Sequence, residues 1–300
     1  LVRAVGQAEA YAGACAARRE IDRLNGVFNW RDPASEISQL NRANRHVASG
    51  ELFAVVAAAE RWREISGGAY SARLGRLLDI WRDADGPAPA AGAMERMARE
   101  IANASVVLDA KTLTILRPDV VQFDLDGLAK GHIVDRALEA VMATAGVGGA
   151  MVDIGGDIRC AGAGPCEGKW QVSLPQPLMP FDNAPACGAF EMGEGAVATS
   201  GCGPRDERAG GGAISATINP QTGWPVAYRR SATAIAPTPM AADALATIAL
   251  VSGDAEAKAC LKQMPSMAAR VTRPEGVDWL HGGEQPLFRW IDFEQPPSAK

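Results

Sequence analysis

The spacing of apolar and polar residues changes character several times along the chain. Residues 1–25 and 51–66, the latter reading "ELFAVVAAAERWREIS", mix apolar and charged residues in the manner of amphipathic helices. Between them, in "FNWRDPASEISQLNRAN", Asp32 and Pro33 mark a turn, and Ser35 opens a short helical stretch with Glu36 in its first turn. From about residue 104 the period shortens. "ASVVLD", "TLTIL" and "VVQFDLD" are short, β-branched and separated by turn residues, which predicts an antiparallel meander. A helix follows in "AKGHIVDRALEAVMATAG", closing on Gly146. Strands are expected at 149–154, 168–174, 187–192, 213–218 and 231–236, then helices at 237–253 and 254–263. Helices, strands, helix, strands, helices is the order of a mixed α+β protein rather than the regular alternation of a doubly wound sheet. No internal repeat is visible, and the Pro- and Gly-rich stretches 86–92 and 175–186 read as surface loops, so residues 1–300 read as a single unit.

Composition narrows the function classes. A chain of 300 residues with 47% hydrophobic and 22% charged residues can bury a large core. The net charge of −5 carries no basic signature for nucleic acid or an anionic membrane surface, which turns attention to small-molecule chemistry. The six cysteines show no CxxC or Cys/His cluster, which argues against zinc. Cys160 and Cys166 flank "CAGAGPC" and could bridge in an exported protein. No segment approaches the roughly 18 to 20 apolar residues of a membrane span. The start at Leu1 rather than Met leads to the expectation that a leader or tag-side segment has been trimmed.

The candidate chemistry lies in a few polar residues set among apolar ones. In "PTPMAADALATIALVSG" (237–253), Asp243 and Thr247 stand four residues apart on one helix face. Their oxygens suit Mg²⁺ or Ca²⁺; alternatively, Thr247 bonds back to the carbonyl of Asp243. Glycine-bearing stretches at predicted strand ends, "DLDGLAKGH" (124–132), "DIGGD" (153–157), "ATSGCG" (198–203) and "NPQTGWP" (219–225), read either as plain turns or as amide-lined seats for a phosphorylated ligand. Lys130 is either a point charge for phosphate or a solvated lysine. "DLDGLAKGH" lacks the spacing of a P-loop and of an EF-hand.

Taken in order, these stretches resemble the ApbE-type family, the FAD:protein FMN transferases once called thiamine-biosynthesis lipoproteins. "WRDPASEISQLN", "DLDGLAKGHIVDRA", "VDIGGDIRCAG", "AVATSG", "NPQTGWP" and "APTPMAADALAT" are collinear with that family's motifs over roughly residues 20–285. The resemblance implies an ApbE-like α+β fold, with a tunnelling-fold-like core of mostly antiparallel sheet flanked by helices. It also implies Mg²⁺ held by Ala129, Asp243 and Thr247 against the pyrophosphate of FAD, with Lys130 and Asp243 as the catalytic residues. Flavin-binding positions carried over are Glu36, Ser38, Asp126, Gly127, Ala129, Lys130, Gly155, Gly156, Asp157, Thr199, Ser200, Asn219, Thr222 and Gly223. The implied reaction passes FMN to a Ser or Thr hydroxyl of a partner flavoprotein and releases AMP. The implied location is the periplasm, with attachment to the inner membrane through a lipid anchor. The chain departs from the family pattern at Ala216, Asn219, Ser71, Arg73, Cys202 and Asp153. These departures keep open a second reading, a flavin carrier or an FAD hydrolase.

Overall fold

A computed structural model describes residues 1–82, 89–175, 185–201, 207–209, 212–215, 217–226, 231–264, 266–273, 276–281 and 288–292. The first half is helical where the pattern is helical. α1 (Gln7–Phe28) turns Leu24 and Phe28 inward. α2 (Glu36–Arg42) is capped by Ser35, whose hydroxyl accepts from Ser38 N at 3.3 Å. α3 (Gly50–Ile65) is capped in the same way by Ser49, which accepts from Leu52 N at 3.2 Å. The Glu36 carboxylate in turn accepts from Ser49 N and Oγ at 2.5 and 2.6 Å, tying the start of α2 to the start of α3. α4 (Gly75–Arg82) and α5 (Ala91–Asn103) follow.

Among the described residues the main sheet has seven strands, in the order β1 (Val2–Ala4), β5 (Val147–Ile154), β6 (Asp157–Gly162), β9 (Gly195–Gly201), β12 (Ser231–Ala236), β13 (Ala268–Arg273) and β14 (Gly276–His281). Neighbouring strands of this sheet run antiparallel. One face carries α6 (Asp126–Met142) and α7 (Pro239–Val251), with α8 (Asp254–Leu261) beyond them. The other face packs on a three-stranded sheet of β15 (Phe288–Asp292), β8 (Ala186–Met192) and β7 (Trp170–Pro175) through Trp170, Phe190, Val197 and Ile235. β2 (Arg45–Val47), β4 (Thr114–Leu116) and β3 (Val107–Asp109) form a small sheet beside α1–α3, and β10 (Glu207–Ala209) pairs with β11 (Gly212–Ile214).

Burial on both faces explains why β12 and α7 are so apolar. All six residues of "SATAIA" are buried; Ala232 and Ala234 face α7, and Ile235 faces the second sheet. The alanines of α7 and of β9 keep helix and sheet close. α6 crosses the start of α7 at Gly131, where a Cβ would lie 2.6 Å from Met240 N and 2.8 Å from the Pro239 carbonyl carbon. Gly131→Ala must therefore push two backbones apart. It is expected to cost about 1–3 kcal/mol and to lower activity per folded molecule, read by urea melts beside turnover, because the same crossing sets Lys130 against Asp243. A variant as stable and as active as the parent would show that the crossing is compliant.

Several sequence expectations are corrected. "VVQFDLD" is not the third strand of a meander; that place belongs to β2. The backbone of this segment is held by an isolated parallel bridge from Gln122 to Leu74 and by side chains: Asn41 exchanges two 2.8 Å hydrogen bonds with the Phe123 backbone, and Arg117 donates to the carbonyls of Leu40, Asn41 and Val121. "ATSG" is not a loop, since residues 198–201 lie inside β9. α6 starts at Asp126 rather than at 129, so most of "DLDGLAKGH" is helix. The strand expected at 213–218 is only the end of β11 plus an isolated bridge from Ile218 to Pro225. Cys160 and Cys166 are not bridged; both are free thiols, as are Cys15 and Cys260.

Candidate active site

The hairpin turn between β5 and β6 uses Gly155 (φ 61°) and Gly156 (φ 90°), both in the left-handed region, with Asp153 Oδ1 accepting from Gly156 N at 3.0 Å. The turn leaves both glycines exposed and places Asp157 as the first residue of β6, its side chain on the α6 side and only 1% exposed. Lys130 comes to it from α6, its Nζ donating to Asp157 Oδ2 at 2.8 Å and lying 3.9 Å from Asp243 Oδ2 on α7. One ammonium therefore faces two carboxylates that are almost fully buried.

One turn along α7 from Asp243, Thr247 Oγ1 lies 3.2 Å from Ser200 Oγ on β9. The hydroxyl is thus turned across to the sheet rather than back along its own helix. Ala129, buried beside Lys130, belongs to the first turn of α6. A carboxylate and hydroxyl oxygens are the donor types that Mg²⁺ accepts when waters and phosphates complete its shell. No group of three or more His, Cys, Asp or Glu able to hold a metal exists among the described residues. The donor set fits Mg²⁺.

Tyr70 was not singled out by sequence reasoning. It is buried, and its ring packs over Gly127, at the start of α6. Burial raises its pKa well above the usual phenol value, and the charges of Asp243, Asp124 and Glu60 push it the same way. The hydroxyl stays protonated and is available as a donor. Its only sequence signal was an aromatic residue after "GGA", which core packing explains equally well.

The remaining expected residues are spread more widely. Trp30 Nε1 donates to Asp126 Oδ2 at 3.2 Å. Trp30, Ser38, Asn41, Gln122 and Asp124 line a groove of about 260 Å³. Ser38 Oγ is spent on Trp30 O, at 3.2 Å, and on Ser35 Oγ. Glu36 is engaged with Ser49 and, at 3.5 Å, with His46, away from the Lys130 cluster. Thr199 alternates with Ser200 and so lies on the opposite face of β9, where its Oγ1 is 2.9 Å from Thr233 Oγ1.

Asn219, Thr222 and Gly223 build a tight hairpin. Asn219 Oδ1 accepts from Gln221 N, Thr222 Oγ1 accepts from Trp224 N, and Gly223, at φ 74°, offers its carbonyl to Trp81 Nε1. Ser71 Oγ accepts from Arg73 N, and Arg73 forms a buried two-pronged pair with Glu60 at 2.8 and 2.5 Å. Ala216 and Cys202 lie outside the described residues.

The fold and this cluster define an α+β protein in which two helices crossing over an antiparallel sheet bring an ammonium, two carboxylates and two hydroxyls together. The Thermotoga maritima ApbE protein has the same fold, with a TM-score of 0.79 and 24% identity, covering 90% of this chain and 89% of that one. So does the flavin transferase ApbE of Vibrio cholerae, with a TM-score of 0.72 and 25% identity over 89% and 88% of the two chains. The ApbE family model matches residues 3–271, and the chain belongs to the ApbE family. Two relatives named FAD:protein FMN transferase agree: the Haemophilus influenzae protein, 31% identical over 78% of this chain and 70% of that one, and the Vibrio cholerae protein, 32% identical over 78% and 73%.

Proposed function

We propose that this protein is a Mg²⁺-dependent FAD:protein FMN transferase that moves FMN from FAD to a Ser or Thr hydroxyl of a partner flavoprotein and releases AMP. The supporting observation is the buried Lys130–Asp157–Asp243 cluster with Thr247 and Ser200 beside it, in a chain whose relatives bear that name. In the reaction the acceptor oxygen forms a bond to the phosphorus of the FMN half, the P–O bond to the AMP half breaks, and AMP leaves with the bonding pair. Phosphoryl transfer of this kind depends mainly on positioning and charge.

Asp157, buried and bonded to Lys130, holds the ammonium where anhydride oxygens would meet it. Asp243 and Thr247, with the carbonyl of Ala129, would hold Mg²⁺, which when bound neutralises charge on the pyrophosphate. The Tyr70 hydroxyl and the first turn of α6 add donors on the Gly127 side. The departures at Ser71, Arg73 and Asn219 are taken up by turns and by a buried ion pair, which supports retained rather than lost turnover. A periplasmic location with lipid-mediated attachment belongs to the same proposal; no described helix is long and apolar enough to cross a membrane.

The test is incubation with FAD, Mg²⁺ and a flavoprotein bearing a Ser/Thr acceptor, followed by denaturation and fluorescence of the separated acceptor. Flavin that stays on the acceptor, and is absent when Mg²⁺ is chelated, is the expected result. Flavin that washes off completely while FAD binds the protein would favour the carrier reading.

A further inference from the structure

On the face of the main sheet turned away from α6 and α7, the strand register sets Thr199, Thr233 and Arg270 side by side on β9, β12 and β13. Ser231 and Thr272 are paired two residues further along. Arg270 is only 9% exposed. Of its five N–H donors one is used within the described structure, Nη1 donating to Thr272 Oγ1 at 3.0 Å. Its buried Nε has no hydrogen-bond partner among the described residues, and none of the described ion pairs includes Arg270. The ring of Trp290 covers the guanidinium, 5.1 Å from centroid to Cζ. Thr199 and Thr233 hydroxyls lie 2.9 Å apart in the same row, and Thr233 is buried.

A guanidinium withdrawn from water with no carboxylate partner among the described residues is costly, and one aromatic contact with one hydroxyl does not offset that cost. The missing element is an anion. We propose that Arg270, with the hydroxyls of Thr199, Thr233 and Thr272, forms a second site that binds a phosphate-class oxyanion, either inorganic phosphate or the monophosphate of a nucleotide. Guanidinium forks and hydroxyl donors together match tetrahedral oxyanions. The site lies across the sheet from Lys130 and Asp243, and the inference does not depend on the proposed transfer reaction.

The test follows thermal unfolding of the full chain while inorganic phosphate, or separately AMP, is titrated at constant ionic strength set with chloride. Wild type is expected to gain Tm saturably, because a ligand that binds only the folded state stabilises it. Lys130→Met, which disables the opposite face, should keep that gain. Arg270→Met should weaken the apparent affinity about 10-fold or more. It should also melt at or above wild type in phosphate-free buffer, since a buried unpaired charge has been replaced by an apolar chain of similar length. Thr233→Val should weaken the response without abolishing it. A response to AMP at lower concentration than to phosphate identifies a nucleotide as the source, and equal potency identifies the free ion. The proposal is overturned if Arg270→Met keeps the full response, if Lys130→Met alone removes it, or if Arg270→Met melts below wild type without phosphate, which would make Arg270 a packing residue.

Discussion

Asp243→Ala is expected to lower Mg²⁺-dependent FMN transfer by about 10²- to 10³-fold, the loss typical of deleting one preorganised electrostatic contact. The fold should survive. Lys130 keeps its 2.8 Å bond to Asp157 when Asp243 is removed. Deleting a buried carboxylate also removes its desolvation cost, so the variant should melt close to the parent in the presence of a chelator. Added Mg²⁺ should then raise the Tm of the parent but not of the variant. A variant that melts well below the parent without metal would make Asp243 a structural residue and remove the proposed cation seat.

The second large effect is one of stability. Arg73→Ala is expected to cost about 3 kcal/mol by urea unfolding, because it strips the partly buried Glu60 of its two-pronged partner and the Ala104 carbonyl of a donor. Arg63, 3.2 Å from Glu60, keeps the loss near the lower end for broken buried pairs. Replacing both members, Arg73→Met with Glu60→Met, should restore most of that stability, since neither charge is then left alone. Activity per folded molecule should change little in either variant. A stable Arg73→Ala protein with impaired transfer would instead place Arg73 in the chemistry.

That contrast marks what could be read in the sequence and what could not. The α2 start at Ser35, the apolar α7 and the pairing of Asp243 with Thr247 on one face all follow from local spacing. Contacts between distant segments do not. "VVQFDLD" has the composition of a strand, yet its backbone partners are the Asn41 amide, the Arg117 guanidinium and the backbone of residues 72–75, none of them a neighbouring strand of the meander. The alternation in "AVATSG" was hidden by small residues on both faces, so β9 looked like a loop and the opposite orientations of Thr199 and Ser200 were lost. Arg73 read as a replaced polar residue because nothing nearby in sequence announces Glu60, thirteen positions upstream and on another helix. Glu36 sat in a recognisable motif, but its geometry shows a capping role between α2 and α3.

The central claim is that the Lys130–Asp243 cluster splits FAD at its pyrophosphate and hands FMN to a hydroxyl. The most direct measurement is the ratio of AMP released to flavin covalently attached, with purified protein, FAD, Mg²⁺ and an acceptor flavoprotein, in wild type and in Asp243→Ala. Equal amounts of the two products are expected in wild type, with a parallel loss of both in the variant. AMP in excess over attached flavin would mean that water is the acceptor. Bound FAD with neither product would contradict the account and leave a flavin carrier.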